Sequence, residues 1–331
     1  METRTAAARV AIEVRPREDR VGAMARDVEI GLRMEPKELP PKYFYDERGS
    51  RLFERITELP EYYPTRTERS ILATRSAELI AVAGNPATLI ELGSGSASKT
   101  RHLLDAMRDA GSLKTYAPVD ISEQITRETA ALLVDEYPGL EVRGLVGDFE
   151  KDLELAPRGG SPRMIAFLGG TIGNLYADAR QEFLARIAAT LGPADRLLLG
   201  TDLIKERRRL EAAYDDSRGV TAEFNKNVLR VLNRELDADF DLDRFEHVAR
   251  YDDRQSRMDI RLRSLAEQTV RFPSLGMEVG FAATEEMRTE ISSKFTRHRL
   301  EGIFAEAGLR MAGWFSDPAH DYALSLARPA S

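Results

Sequence analysis

Leu89-Ile90-Glu91-Leu92-Gly93-Ser94-Gly95-Ser96-Ala97-Ser98 is the stretch on which the fold turns. A short apolar run ends in an acidic residue, and a glycine-rich turn opens directly onto a helical pattern. Such a run predicts the first strand and first loop of a nucleotide-cofactor fold. Glycine carries no Cβ, so the backbone there can turn sharply and approach a ligand closely.

Two classes of protein open in this way. Dinucleotide dehydrogenases favour G-x-G-x-x-G, whose third glycine lets the helix pack closely on the sheet. The third position here is Ser98, so that fingerprint fails. An acidic residue followed by spaced glycines is the S-adenosylmethionine (SAM) methyltransferase pattern, and it fits Glu91, Gly93 and Gly95, with Ala97 as a small stand-in.

Working outward, β-type runs at 88–92, 116–119, 142–146, 164–168 and 197–200 alternate with helical patterns near 99–109, 123–136 and 179–191. Strand-helix alternation with short connections predicts a doubly wound parallel sheet, whose ligands sit beyond the carboxyl ends of the strands. Those ends carry Glu91-Leu92-Gly93, Asp120, Asp148-Phe149 and Gly169-Gly170-Thr171-Ile172-Gly173-Asn174. One acidic terminus is common, because Asp ends strands and caps helices. Four loaded termini in register point to a site.

After Asp202 the alternation stops. A helical pattern over 220–236, with Val228, Val231, Leu232 and Leu236 at core spacing, precedes β-type runs at 245–251, 258–265 and 269–272. Residues 295–307 are again helical, and 310–315 with 322–326 complete a hairpin. The pattern is that of a nucleotide-type domain interrupted by an insertion.

Composition narrows the chemistry. The 331 residues are 42% hydrophobic and 31% charged, and 48 basic against 55 acidic residues leave a net charge of -7. An acidic surface repels phosphate backbones, so no nucleic-acid partner is expected. With no cysteine, thiolate catalysis and cysteine-ligated zinc are excluded. His102, His247, His298 and His320 lie far apart without metal-ligand spacing, so no metal is expected. Residues 1–25 hold no apolar secretory core, and no run approaches the about 20 apolar residues of a membrane span. A cytoplasmic protein with no membrane partner is expected.

On the methyltransferase reading the strand ends acquire roles. The Asp120 carboxylate accepts from the cofactor ribose hydroxyls; Asp148 and Phe149 hold the adenine; Lys99 pairs with the cofactor carboxylate. Methyl transfer from a sulfonium is an in-line displacement that needs an amine lone pair and correct positioning more than acid-base machinery. Gly169, through its carbonyl, and the Asn174 side-chain amide stand where the nucleophile approaches the methyl, and are the catalytic candidates. Gly and Asn also favour tight turns on their own account.

Further segments carry a more specific likeness. Pro41-Lys42-Tyr43-Phe44-Tyr45-Asp46, Leu59-Pro60-Glu61-Tyr62-Tyr63-Pro64-Thr65-Arg66-Thr67-Glu68, Glu91 to Gly95, Phe167 to Asn174, Tyr214-Asp215-Asp216, Glu285-Glu286-Met287 and Glu290-Ile291-Ser292-Ser293-Lys294-Phe295 resemble the L-histidine Nα-methyltransferases of ergothioneine biosynthesis. The likeness runs from about residue 38 to 326. It implies a SAM-dependent enzyme that places three methyl groups on the α-amine of L-histidine, giving hercynine and S-adenosyl-L-homocysteine (SAH).

Carried over, the resemblance places Tyr62, Asn174 and Tyr214 on the amino acid's α-amino and carboxylate groups, and Glu290 and Ser292 on its imidazole. Gly93, Lys99, Asp120, Asp148 and Phe149 bind the cofactor. Residues two apart share a face only in extended backbone, so 289–293 is expected to be non-helical. A carboxylate and a hydroxyl together satisfy both ring nitrogens, which an apolar wall does not. In the aromatic cluster of Tyr43, Phe44, Tyr45, Phe53, Tyr62 and Tyr63, rings such as Tyr45 and Phe53 would hold the growing cation, since aromatic faces attract quaternary ammonium by roughly 0.5 to 2 kcal/mol. The chain departs from the family pattern at Gly170, a serine position, and at Ile260, where some members have methionine.

The expected architecture is α/β: a Rossmann-like, doubly wound class I methyltransferase domain over 66–203 and 295–331 that binds SAM, and a second, α+β substrate-binding domain over 1–65 and 204–294, with residues 1–25 poorly ordered. A monomer is expected. The alternatives are an N-methyltransferase of another amino acid or small amine, and a non-catalytic SAM-binding protein.

Overall fold

The computed structural model describes residues 9–153, 160 and 162–330. Its first elements are β1 (Val10–Val14), α1 (Arg17–Leu32), α2 (Glu47–Thr57), α3 (Tyr63–Val82), β2 (Thr88–Leu92), α4 (Arg101–Asp109), β3 (Thr115–Asp120) and α5 (Glu123–Glu136). There follow β4 (Glu141–Val146), α6 (Phe149–Asp152), β5 (Arg163–Phe167), α7 (Ala177–Thr190), β6 (Arg196–Asp202), α8 (Arg207–Tyr214) and α9 (Val220–Glu235). The last are β7 (Phe245–Asp252), β8 (Arg257–Ser264), β9 (Gln268–Phe272), β10 (Met277–Phe281), β11 (Glu286–Ser293), α10 (Arg297–Glu306), β12 (Leu309–Ser316) and β13 (Tyr322–Pro329). They form two compact units, one of residues 1–15, 64–204 and 295–331, the other of 16–63 and 205–294.

The first unit is built on an eight-stranded sheet in the order β1-β4-β3-β2-β5-β6-β13-β12. Strands β1 to β6 run parallel, and β13 pairs antiparallel with both β6 and β12. All five residues of β2 are buried. That is why its sequence is a continuous apolar run: a parallel strand covered on both faces has no polar side to show. Successive side chains go to opposite faces. Leu89 joins Tyr116, Val142 and Met164 under one layer, while Ile90 joins Ala117, Ile165 and Leu197 under the other. The strand order reverses between β2 and β5, which opens a crevice at their carboxyl ends.

The amino-terminal segment departs from expectation. Residues 1–25 were expected to be poorly ordered and part of the substrate-binding domain. Instead β1 lies parallel beside β4 at the sheet edge, and the Arg9 guanidinium donates to the carbonyls of Val134 (2.8 Å), Tyr137 (3.3 Å) and Leu140 (3.2 Å). The sheet therefore gains a strand from 10–14, and the second unit begins at residue 16. A five-residue edge strand has only Val10, Ile12 and Val14 half-buried, too little periodicity to announce itself. Residues 1–8 lie outside the described residues.

The second unit packs α1, α2, α8 and α9 with the antiparallel sheet β11-β8-β7 and the β9–β10 hairpin. Phe44, Phe224, Val228, Leu232, Ile260, Phe272 and Met287 share one core. Helix α2 approaches closely through Gly49, where a Cβ would stand 1.7 Å from the Phe44 carbonyl oxygen. The Asn227 amide donates to that same oxygen (3.0 Å) and to Asp46 Oδ1 (2.8 Å), and Asp46 caps α2 at the Gly49 N–H. Among the described residues no helix is long and apolar enough to cross a membrane.

Candidate active site

In the first unit the loop after β2 alternates left-handed residues: Gly93 (φ 70°), Gly95 (φ 51°) and Ala97 (φ 50°). The glycines relieve the strain such angles impose on a side chain, and Ala97 bears it with the smallest one. Glu91 ties the two ends of the loop together, accepting from the Thr100 hydroxyl (2.7 and 2.9 Å) and from the Tyr116 hydroxyl (2.5 Å). Burial pushes its carboxyl up to about 7, against the pull of those bonds and of Lys99. Lys99 lies in the turn before α4, not within the helix as expected.

Asp120, the last residue of β3, clamps the same loop. Its carboxylate accepts from the Gly95 N–H (2.8 Å) and the Ser122 N–H (2.9 Å). Burial raises its pKa, while these backbone bonds oppose the rise. Asp148 caps α6 through the Glu150 N–H (3.0 Å). Phe149 stacks edge-on to Phe167 (5.2 Å), and a Cβ on Gly93 would lie 3.8 Å from its ring. The structure thus brings Gly93 together with Phe149, and Gly95 with Asp120.

After β5, Gly169 (φ 80°) and Gly170 (φ 72°) are both left-handed and start the single turn that ends at Asn174. A serine at Gly170 would be strained, so the departure from the family pattern suits this backbone. The Gly169 N–H donates to both oxygens of Glu68 (2.9 and 3.1 Å), and the same carboxylate pairs with Lys99. The Lys99 ammonium lies 3.4 Å from where a Gly169 Cβ would be. Lys99 and Gly169, read separately from the sequence, therefore share Glu68 as a partner.

In the second unit, β11 carries a bulge. Arg288 faces Arg261 on β8 and Glu290 faces Ile260, so Thr289 is the extra residue. A regular strand would put Glu290 and Ser292 on the face opposite Met287. With the bulge, all three share the side of Met258, Ile260 and Leu262. The other side bears the ion pairs of Asp259 with Arg261 and Arg288; burial opposes its charge, but these guanidiniums hold its pKa at about 2. Residues 289–293 are extended, as the Glu290/Ser292 spacing requires.

Ser292 Oγ and the Tyr214 hydroxyl are 2.8 Å apart, and the fully buried Lys294 ammonium donates to both at 2.8 Å. From Tyr214 a chain of edge-on rings runs through Tyr62 (6.2 Å) and Phe53 (6.2 Å) to Tyr45 (5.6 Å). His247 fixes the Tyr214 backbone. Its Nδ1 accepts from the Asn225 amide (2.8 Å), so its Nε2–H donates to the Tyr214 carbonyl (2.8 Å). Burial lowers its pKa and keeps the ring neutral.

The predicted residues thus fall into two sets, the cofactor and catalytic candidates in the first unit and the remaining substrate candidates in the second. Glu68 and Lys294 lie inside segments that carry the family resemblance, yet nothing in the sequence alone gives either a role. The only signal was a charged residue inside an otherwise assigned segment.

The profile of the family described as histidine-specific methyltransferase, SAM-dependent, matches residues 24–329. The chain is 55% identical over 305 residues to the histidine N-alpha-methyltransferase of Mycolicibacterium smegmatis, covering 92% of this chain and 94% of that one. It is 51% identical over 305 residues, with the same coverage, to that of Mycobacterium tuberculosis. A shorter match, 37% over 201 residues, joins 60% of this chain to 23% of ergothioneine biosynthesis protein 1 of Neurospora crassa. The chain belongs to the family of SAM-dependent, histidine-specific methyltransferases.

Proposed function

We propose that the protein transfers three methyl groups in succession from SAM to the α-amino nitrogen of L-histidine, forming hercynine as the first step of ergothioneine biosynthesis. The observation that carries the histidine assignment is the bulge that turns Glu290 and Ser292 together onto the face of Met287, Met258 and Ile260, where Ser292 meets Tyr214. A carboxylate accepts from a ring N–H and a hydroxyl donates to the other ring nitrogen, so the pair matches a neutral imidazole. An amino acid lacking that ring would forgo both of these bonds.

The first unit fits the cofactor. A loop of left-handed small residues, an acidic end on β3 and the Phe149 ring beside Gly93 suit a nucleoside, with Gly93, Lys99, Asp120, Asp148 and Phe149 as its holders. When bound, SAM supplies an electrophilic methyl on a sulfonium, whose displacement leaves a neutral thioether. Tyr62, Tyr214 and Asn174 orient the amino acid, and Gly169 and Asn174 present acceptors toward the amine. Catalysis is then chiefly positioning of a neutral amine in line with the methyl.

The same reading takes the protein to act as a cytoplasmic monomer on a small molecule, without nucleic acid or membrane. The net charge of -7 supports the exclusion of nucleic acid, and sedimentation of the purified chain tests the monomer. Methyl-labelled SAM offered with a panel of amino acids tests the substrate. Label on histidine alone is expected. Label on another amine instead favours a different amino-acid methyltransferase, and cofactor binding without transfer favours a non-catalytic protein.

A further inference from the structure

We propose that Glu68 is the counter-charge of the cofactor site, positioning Lys99 and Gly169 and making the site favour the sulfonium cofactor over its uncharged thioether product. This rests on the reading that Lys99 and Gly169 stand at the cofactor.

Four parts of the first unit meet on this one carboxylate. Glu68, on α3, is wholly buried. It pairs with Lys99 from the loop after β2, accepts the Gly169 N–H from the loop after β5, and accepts the Tyr322 hydroxyl of β13 (2.9 Å). Space for it is cut at Gly200 on β6, where a Cβ would stand 2.3 Å from Glu68 Oε1 and 2.8 Å from the Tyr322 oxygen. A carboxylate survives such burial only when paired and hydrogen-bonded. The bonds that hold it also fix the two loops.

The charges explain what the arrangement does. SAM carries a carboxylate, an ammonium and a sulfonium, for a net charge of plus one; the product lacks the sulfonium charge and is neutral overall. Lys99 alone would offer a donor to the cofactor carboxylate but would add a positive charge beside a cationic ligand. With Glu68 the pair is neutral, so Lys99 keeps its hydrogen bond without repelling the sulfonium. Methyl transfer removes the sulfonium charge, and the product loses the attraction to Glu68 that the cofactor had.

Calorimetric titration of the full chain with SAM and with SAH separates this role from simple anchoring. Glu68→Gln keeps the shape and removes the charge. It is expected to lower the ratio of SAM to SAH affinity by about three- to tenfold, because the charge acts on a sulfonium that only SAM carries, while the other ligand charges are common to both. Lys99→Met leaves Glu68 without its cation. Both ligands should then bind more weakly, while the ratio moves the opposite way by a similar factor. Equal losses for both ligands in Glu68→Gln overturn the proposal. If that variant fails to fold, an unchanged ratio in Lys99→Met does so. A wild-type chain that binds neither nucleoside refutes the cofactor reading itself, and this inference with it.

Discussion

Glu290 is half-buried and faces Ile260 across the β11–β8 pair, on the same side as Ser292. A charged hydrogen bond of this kind is worth roughly 1.5 to 3 kcal/mol. Glu290→Ala should therefore raise the histidine KM about 10- to 150-fold while SAM affinity, measured by titration, stays near wild type. An equal loss of SAM affinity would reject the assignment. Glu91 gives a second test. Its pKa rises from 4.5 to about 7 through burial, so the native state holds a proton that the unfolded state has lost. Its effect is absent below about 4.5; stability falls as pH rises from there through 7, then levels, by on the order of 3 kcal/mol. Urea melts of Glu91→Gln should show a larger gain over wild type at pH 8 than at pH 5; parallel curves at the two pH values would contradict this. Residues of this kind were half legible in sequence. Glu91 announced itself at a strand end, but Glu68 and Lys294 gain meaning only from partners such as Gly169, 101 residues away from Glu68, and Tyr214, 80 residues away from Lys294.

At the scale of elements, the bulge in β11 decides which way the imidazole-binding pair points. Inserting one residue after Thr289 should shift the pairing beyond the bulge by one step and carry Glu290 and Ser292 to the ion-pair face. Histidine binding should then vanish in calorimetry, while SAH binding, lodged in the other unit, persists. Retained histidine affinity in a folded insertion variant would show that the face set by the bulge does not aim the site. The parallel strands β2 to β6 were legible because each is a short apolar run closed by a turn or an acidic residue. Helices α1, α2 and α8, and strand β10, were not. Segments such as Arg207–Tyr214 carry their few apolar residues among charges, and only packing against the second unit's core selects helix. Strand β1 was missed for the same reason, being held by its register with β4.

Across the chain, the cofactor candidates and the imidazole and ring candidates fall in separate units. Their approximate division was visible where strand-helix alternation stopped, yet the assignment of 10–14 was not, since a distant sheet edge claims it. Successive methylation strips N–H donors from the amine and ends in a permanent cation. The ring series Tyr45, Phe53, Tyr62 and Tyr214 is the feature of the second unit suited to hold that cation. Tyr45→Leu or Phe53→Leu should release more mono- and dimethylhistidine, as read by mass spectrometry of products; an unchanged distribution would remove those rings from the role.

The most direct measurement follows the methyl groups themselves. The purified chain is incubated with L-histidine and SAM labelled in its methyl, and the product is fragmented by tandem mass spectrometry. The account predicts three labelled methyl groups, all on the α-nitrogen, with an unlabelled imidazole. Absence of transfer, or label on the ring, would contradict it.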